Sequence, residues 1–154
     1  AEDTDIVISS FDSDYFQLIS PHVSVLRYRG KSSVLCGEEY IKERFGIGAD
    51  RYADMKALCG DAADNIRGVP RIGPKTAARL INEFGSIEGI LQNADRIKQS
   101  ALRESVLLNS DRLLMNRQLI TLTGGAALPF EANELEVAMP EFTSVQALNA
   151  LGII

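Results

Sequence analysis

Residues 60–78 read Gly60-Asp61-Ala62-Ala63-Asp64-Asn65-Ile66-Arg67-Gly68-Val69-Pro70-Arg71-Ile72-Gly73-Pro74-Lys75-Thr76-Ala77-Ala78. The glycines and Pro70 predict a tight loop. A helix is predicted to begin at Pro74, because proline at the first helical position loses no hydrogen bond. This helix runs to Phe84 and is ended by Gly85. The stretch therefore predicts a loop that leads directly into the N-terminus of a helix.

Helical patterning continues on both sides of this loop. Before it, the spacing of apolar residues predicts helices at Glu38–Phe45 and Asp50–Cys59. Ser86 is a suitable cap for a short helix that follows Gly85. The predicted helices after the loop are Ile87–Gln92, Ala94–Leu119 with a break near Asn109-Ser110, and Val145–Leu151. Residues 37–122 are thus expected to form a mainly α-helical region, with residues 123–154 as an unassigned C-terminal tail.

The N-terminal residues carry strand patterns instead. Asp5–Ser9 contains consecutive apolar residues, which is typical of a strand covered on both faces inside a parallel sheet. A helical turn at Asp14–Ile19 follows, and Val23–Tyr28 and Ser33–Leu35 then flank Gly30 as a predicted hairpin. We therefore expect an α/β fold, in which residues 1–36 are the remnant of a mixed parallel sheet whose other strands would come from a missing N-terminal part.

Composition limits the class of protein. The chain has 154 residues, of which 45% are hydrophobic and 24% charged, and this suits one compact domain or a domain and a half. No apolar run approaches the ~18–20 residues that a membrane helix needs, so we expect no membrane partner. Cys36 and Cys59 lack the CxxC spacing of a metal or redox site, and we expect both to be reduced thiols of a cytoplasmic protein.

The distribution of charge matters more than its sum. The formal net charge of −5 argues against a nucleic-acid partner and leaves an interaction fragment with no nucleic-acid role as one alternative. Ile66–Asn82, however, contains four basic residues and no acidic one: Arg67, Arg71, Lys75 and Arg79. Because the free N–H groups at a helix start attract anions, this window predicts contacts with the phosphates of DNA rather than with its bases. The alternative is an ordinary helix–turn–helix corner that has no binding role.

Two pairs of carboxylates carry the other candidate chemistry. Asp12 and Asp14 follow the first strand, where ligands of α/β sheets bind, although a loop aspartate is often only a helix cap. Asp61 and Asp64 are three residues apart, which would place them on one face of a helical turn. Hard cations such as Mg²⁺ prefer oxygen ligands, and two such ions could clamp a phosphodiester. The four residues therefore predict a metal site for phosphodiester hydrolysis.

The order of these motifs adds specificity. A strand, Asp12-x-Asp14, the stretch Tyr15–Leu18, then Gly60–Asn65 and Gly68–Ala77 together resemble the bacterial and phage 5′-nuclease family. That family includes the 5′-nuclease domain of bacterial DNA polymerase I. The resemblance extends from about Asp5 to about Leu122. It implies a metal-dependent 5′-3′ exonuclease or structure-specific flap endonuclease of DNA replication and repair, and a DNA-binding module without its own catalysis remains the alternative.

The resemblance also implies roles for particular residues. Asp12, Asp14, Asp61 and Asp64 would be catalytic ligands of Mg²⁺ or Mn²⁺, two ions in the intact enzyme. Residues 37–122 would contain a helix–three-turn–helix motif, a form of helix-hairpin-helix, that binds DNA with 5′ ends or flaps. Its implied DNA-binding residues are Arg67, Gly68, Val69, Arg71, Gly73, Lys75 and Thr76. The backbone carbonyls of Val69 and Ile72 would be able to hold K⁺.

The chain departs from the family pattern in two respects. Arg71 stands where the family often has glycine, and a left-handed backbone there would strain an arginine. The family's first aspartate, its acidic cluster and its basic helical arch have no counterpart in this sequence. Residues 1–36 would then be the C-terminal portion of a PIN-like α/β nuclease domain. We expect the isolated chain to be inactive without that domain's N-terminal half.

Overall fold

The computed structural model describes residues 4–135 and residue 149. The chain forms two compact units, Ala1–Leu122 and Thr123–Ile154. In the second unit the described structure is a 3₁₀ helix at Ala132–Leu135. The helix predicted at Val145–Leu151 falls outside the described residues, apart from Asn149. No helix among the described residues is long and apolar enough to cross a membrane.

A three-stranded mixed sheet opens the first unit. Strand β1 (Ile6–Ser9) pairs in parallel with β2 (Val23–Arg27), and β2 pairs antiparallel with β3 (Val34–Cys36). The predicted hairpin is confirmed, with Gly30 in a left-handed conformation at φ +57°. Strand β1 lies at the edge of this sheet. Ile6 and Val7 are 51% and 55% exposed, so among the described residues β1 lacks the cover on both faces of which its apolar pattern is typical.

Within residues 4–135, six α-helices follow the sheet. Three of them have the predicted bounds residue for residue, because glycine, proline and a serine cap fix their ends locally. The helices are α1 (Glu38–Phe45), α2 (Tyr52–Cys59), α3 (Pro74–Phe84), α4 (Ile87–Gln92), α5 (Ser100–Leu108) and α6 (Ser110–Ile120). The predicted break at Asn109 is confirmed. Helix α5 begins later than predicted, because Ile97 is extended and separates it from a 3₁₀ turn at Ala94–Arg96.

An aromatic cluster fixes the 3₁₀ helix Ser13–Leu18 against the helical region. Phe16 on this helix is 1% exposed and its ring lies 5.4 Å from the ring of Tyr52, edge to face. Tyr40 and Phe45 on α1 complete the cluster around Phe16, at 6.0 and 6.2 Å. Aromatic pairs at such distances add to the stability gained from burial alone. The segment that carries Asp14 is thereby held on α1 and α2.

Two glycines shape the connection between α2 and α3. Strands β4 (Gly60–Asp61) and β5 (Ile66–Arg67) form an antiparallel pair directly after α2. A Cβ atom on Gly68 would lie 2.2 Å from the carbonyl carbon of Cys59, and one on Gly60 would lie 2.4 Å from the amide nitrogen of Gly68. Only glycine allows two backbones to approach so closely. The helical turn predicted for Asp61 and Asp64 is therefore wrong, because this contact turns the segment into a short β-hairpin.

The two cysteines are unpaired, as predicted. Cys36 is buried under α1, and Cys59 ends α2. Burial raises the pKa of the Cys59 thiol to about 11, so it stays protonated and unreactive at neutral pH. Both residues therefore act as small apolar core residues.

Candidate metal centre and nucleic-acid interface

Three aspartates from distant parts of the sequence converge. One carboxylate oxygen each of Asp14, Asp61 and Asp64 lies within 4.8 Å of the other two. Asp14 stands on the 3₁₀ helix after β1, Asp61 on β4, and Asp64 in the turn between β4 and β5. The aromatic cluster and the Gly60–Gly68 contact bring the two segments together. Oxygen donors alone form this group, which is the donor set that Mg²⁺ or Mn²⁺ prefers.

Asp12 is not part of this group. Its Oδ1 accepts a hydrogen bond from the backbone N–H of Asp14 at 2.9 Å and caps the 3₁₀ helix. The backbone N–H of Asp12 in turn donates to the Ser10 hydroxyl at 3.1 Å. The expectation that four carboxylates converge is thus met by three of them. Asp12 fixes the position of Asp14 through the backbone, as a capping residue does.

Lys56 lies between two of the three carboxylates, and the sequence analysis did not identify it. Its ammonium contacts both Asp14 and Asp61, and its side chain is only 10% exposed. Burial alone would lower the pKa of Lys56, yet the hydrogen bonds and charges of Asp14 and Asp61 raise it above its ordinary value. The available signal was a single lysine inside the apolar run Met55–Leu58, on a helix that ends just before Asp61.

The carboxylates of Asp61 and Asp64 have opposite pKa shifts. Burial raises the pKa of Asp61, but the hydrogen bonds from Lys56 and from the backbone N–H of Ala63 outweigh burial and hold it below its usual range. The negative charge of Asp61 then raises the pKa of Asp64. Asp64 is exposed and faces this charge without a lysine of its own. The group therefore keeps an excess of negative charge beside Lys56, as a cation site requires.

The predicted DNA-binding residues form one continuous segment from β5 to the first turn of α3. Arg67, Arg71, Lys75 and Arg79 are all exposed, while Val69 and Ile72 are buried and anchor the segment to the core. Gly73 precedes α3 in an extended conformation and Pro74 occupies its first turn, as predicted. Exposed basic side chains thus lie along the segment that leads into α3 and along its first two turns, and apolar anchors fix the position of this segment. Thr76 is half-buried beside them.

Helices α5 and α6 hold the backbone of this segment. The Ser105 hydroxyl on α5 donates to the carbonyl of Pro70 at 2.7 Å. The side-chain amide of Asn116 on α6 donates to the carbonyl of Arg67 at 2.8 Å and to that of Ala57 at 3.1 Å. The carbonyl of Val69 accepts from the backbone N–H of Ile72 at 3.1 Å. These hydrogen bonds fix the backbone conformation of the loop from Arg67 to Ile72.

Arg71 has the left-handed backbone that the comparison with the family pattern suggested, at φ +71°. For a residue with a Cβ, this conformation costs about 1–2 kcal/mol, and glycine avoids that cost. We expect Arg71→Gly to raise the free energy of unfolding by about 1 kcal/mol, measured by urea titration.

The control for Arg71→Gly is Arg71→Ala. This variant removes the same charge but keeps the strained backbone, so we expect no stabilisation from it. Equal free energies of unfolding for the two variants would contradict the account of strain at this position.

Comparisons with known proteins give the family. Residues 47–143 match the profile of the family described as 5′-3′ exonuclease, C-terminal SAM fold. DNA polymerase I of Rhizobium leguminosarum is 36% identical over 135 residues, which cover 88% of this chain and 13% of the polymerase. The 5′-3′ exonuclease of Buchnera aphidicola is 40% identical over 120 residues, which cover 74% of this chain and 41% of that protein. The chain thus spans less than half the length of either relative.

A solved structure supports the same assignment. A bacteriophage T5 flap endonuclease, in a pseudo-enzyme–product complex with DNA and metal ions, superposes with a TM-score of 0.64 at 25% identity. The superposition covers 75% of this chain and 42% of the phage protein. Family profile, relatives and fold agree, and the chain belongs to the 5′-3′ exonuclease family, whose C-terminal SAM-fold domain it contains.

Proposed function

We propose that this chain is the metal-binding and DNA-binding part of a metal-dependent 5′ nuclease that acts on 5′ ends and flaps of DNA. One observation carries the proposal: Asp61 and Asp64, which converge with Asp14, directly precede the basic loop and the start of α3. A phosphate backbone bound at the loop would pass close to the carboxylates. The DNA and metal ions in the phage complex, and the polymerase relatives, which suggest replication and repair, favour the same activity.

Asp14, Asp61 and Asp64 would hold a divalent ion, Mg²⁺ or Mn²⁺. Such an ion lowers the pKa of a bound water and stabilises the oxygens of a phosphodiester under attack. Asp12 would contribute by holding Asp14 in place. Three carboxylates suit one ion, so a second ion would take ligands from other parts of the protein. We propose that the rest of the longer protein, a cytoplasmic enzyme, is the partner that supplies them.

The segment from Arg67 to Thr76 would bind the DNA backbone as a helix–three-turn–helix motif. Lys75 and Thr76 place a charge and a hydroxyl in the first turn of α3, where N–H groups lack helical partners. Gly73, where a Cβ atom would meet nothing within 4 Å, allows close approach of a phosphate, whereas the missing Cβ of Gly68 serves the contact with Cys59. The carbonyls of Val69 and Ile72 would be able to coordinate K⁺, since a carbonyl oxygen has two lone pairs and that of Val69 uses one for the N–H of Ile72.

Replacing Lys75 with alanine tests the DNA-binding half of the proposal. We expect weaker binding to duplex DNA of every sequence, and a slope of log affinity against log salt that falls by about one. The reason is the loss of one phosphate contact that releases a counterion. Fluorescence anisotropy over a salt series measures both quantities.

Lys42→Ala is the matched control for this measurement. Lys42 is exposed on α1, outside the basic segment. Its replacement by alanine removes the same single positive charge as Lys75→Ala, but at a place where we expect no DNA contact. An effect of Lys42→Ala equal to that of Lys75→Ala would show that only net charge matters and would remove the case for an interface at α3.

A second candidate function is a DNA-binding module whose carboxylates are structural. The ion pairs of Lys56 with Asp14 and Asp61 favour this candidate, because they engage two of the three carboxylates and compensate one negative charge without any metal. The two candidates differ in one measurable property. A structural ion-pair cluster does not bind Mn²⁺, whereas a nuclease metal centre does.

A further inference from the structure

The ammonium of Lys56 occupies the space that a metal ion would need. Lys56 belongs to α2, where its neighbours Met55, Ala57 and Leu58 are all buried in the core. Its Nζ contacts carboxylate oxygens of Asp14 and Asp61, and the Ser13 hydroxyl lies 3.4 Å from it. A lysine this buried is rare unless it is paired. The charge on Lys56 is therefore balanced by two of the residues that would hold the ion.

The carboxylates that face this ammonium are two of the three that would face the ion. Oδ1 of Asp14 and Oδ2 of Asp61 contact Nζ, and both residues belong to the group within 4.8 Å. A divalent ion bound by the same carboxylates would lie within a few ångströms of Nζ, where two positive charges repel strongly. The ammonium and the ion cannot both keep these contacts. Asp64, which does not contact Lys56 through an ion pair, would remain available to an arriving ion.

We propose that Lys56 is a built-in counter-ion that stabilises the metal-free protein and must leave Asp14 and Asp61 before a divalent ion binds there. This inference rests on the proposed metal centre. The ion pair of Lys56 would make the measured metal affinity lower than the affinity of the bare carboxylates, because the ion binds only the fraction of molecules in which Lys56 has moved away. Lys56 would thus set the concentration of divalent ion at which the site fills.

The experiment compares Mn²⁺ binding to the whole chain and to Lys56→Met, with free Mn²⁺ measured by electron paramagnetic resonance. Methionine keeps most of the buried volume of lysine and removes the charge. We expect Lys56→Met to bind Mn²⁺ about tenfold more tightly than the unaltered chain. Lys42→Met, which removes an exposed lysine from α1, is expected to change the affinity little.

Thermal unfolding of the same proteins gives an independent readout. In chelator, Lys56→Met is expected to melt below the unaltered chain, because Asp14 and Asp61 then repel each other. Added Mn²⁺ is expected to raise its melting temperature by more than that of the unaltered chain. If the unaltered chain binds Mn²⁺ as tightly as Lys56→Met, or more tightly, the inference about Lys56 is wrong but the proposed metal centre still stands. Absence of Mn²⁺ binding in both proteins would overturn the proposed metal centre as well.

A measurement on the unaltered chain covers the case in which Lys56→Met does not fold. Lysine ammonium groups held in buried ion pairs exchange slowly with water and give resolved nitrogen–proton NMR signals. We expect the signal of Lys56 to be present in chelator and to shift or disappear when Mg²⁺ is added. A Lys56 signal that stays unchanged at saturating Mg²⁺ would show that the ion binds without displacing the ammonium, and this result would also overturn the inference.

Discussion

Replacing Asp61 with asparagine is expected to weaken Mn²⁺ binding by at least 100-fold, since loss of even an outer-shell partner of a metal costs about 10–100-fold. Asp61 supplies one of the three converging carboxylates and is only 11% exposed in its side chain. Asparagine keeps the oxygen that accepts the N–H of Ala63 at 3.0 Å, so the turn of the hairpin is retained. The change removes charge from the site and leaves the fold in place. Isothermal titration with Mn²⁺ measures the effect.

Asp50→Asn is the matched control for Asp61→Asn. Its side chain is 71% exposed and pairs with Arg51, away from the carboxylate group. We expect this variant to bind Mn²⁺ as the unaltered chain does. Joined to the rest of the proposed nuclease, Asp61→Asn is also expected to abolish cleavage of a labelled flap substrate. Full metal binding by Asp61→Asn would contradict the assignment of this residue.

Replacing Arg117 with methionine is expected to lower the free energy of unfolding by about 2 kcal/mol, less than the ~3–5 kcal/mol of a fully buried ion pair, because the Arg117 side chain is 40% exposed. Asp54 on α2 is only 3% exposed, and its Oδ1 lies 2.8 Å from Nε of Arg117 on α6. The Nε–H of Arg117 is not aimed at this oxygen and forms no hydrogen bond with it, so the contact is an ion pair only. Arg51 lies 4.0 Å from the other oxygen and offsets part of the loss.

The cost of Arg117→Met is expected to depend on pH. Burial raises the pKa of Asp54, and removing Arg117 raises it further. A carboxyl whose pKa is higher in the folded state destabilises the fold above that pKa. This penalty disappears as pH falls towards the unfolded value of about 3.9. Urea titrations at pH 7 and pH 5 should therefore show a smaller difference between variant and parent at pH 5.

Arg112→Met is the control on the same helix. Arg112 is exposed, so its loss is expected to change stability by no more than about 0.5 kcal/mol. A cost for Arg117→Met as small as that for Arg112→Met would show that Asp54 does not depend on this partner.

The sequence predicted those parts of the fold that depend on local chemistry. Pro74 and Gly85 set the ends of α3, Ser86 set the start of α4, and Asn109 set the break between α5 and α6. In each case a residue with a special backbone preference, or with a capping side chain, determines where a helix begins or ends within a few residues of itself. The basic segment after Ile66 was predicted for the same reason, since its charges and its helix start are contiguous.

Features that depend on contacts between distant residues were not predictable in this way. The hairpin at Asp61–Ile66 follows from the contact of Gly60 with Gly68, and periodicity alone suggested a helical turn. Lys56 looks like one lysine on a helix until the fold places Asp14 beside it, 42 residues away along the chain. The sequence left Asp12 open as a metal ligand or a helix cap, and only its contact with the backbone N–H of Asp14 decides for the cap.

Crystals of the chain soaked in Mn²⁺, with anomalous diffraction recorded near the manganese absorption edge, would locate the ion itself. We expect one strong anomalous peak roughly 2.1 Å from carboxylate oxygens of Asp14, Asp61 and Asp64, with the ammonium of Lys56 moved away from it. A map in which Asp14 and Asp61 keep their contacts with Lys56, and no peak lies among the three aspartates at saturating Mn²⁺, would contradict the proposed metal centre.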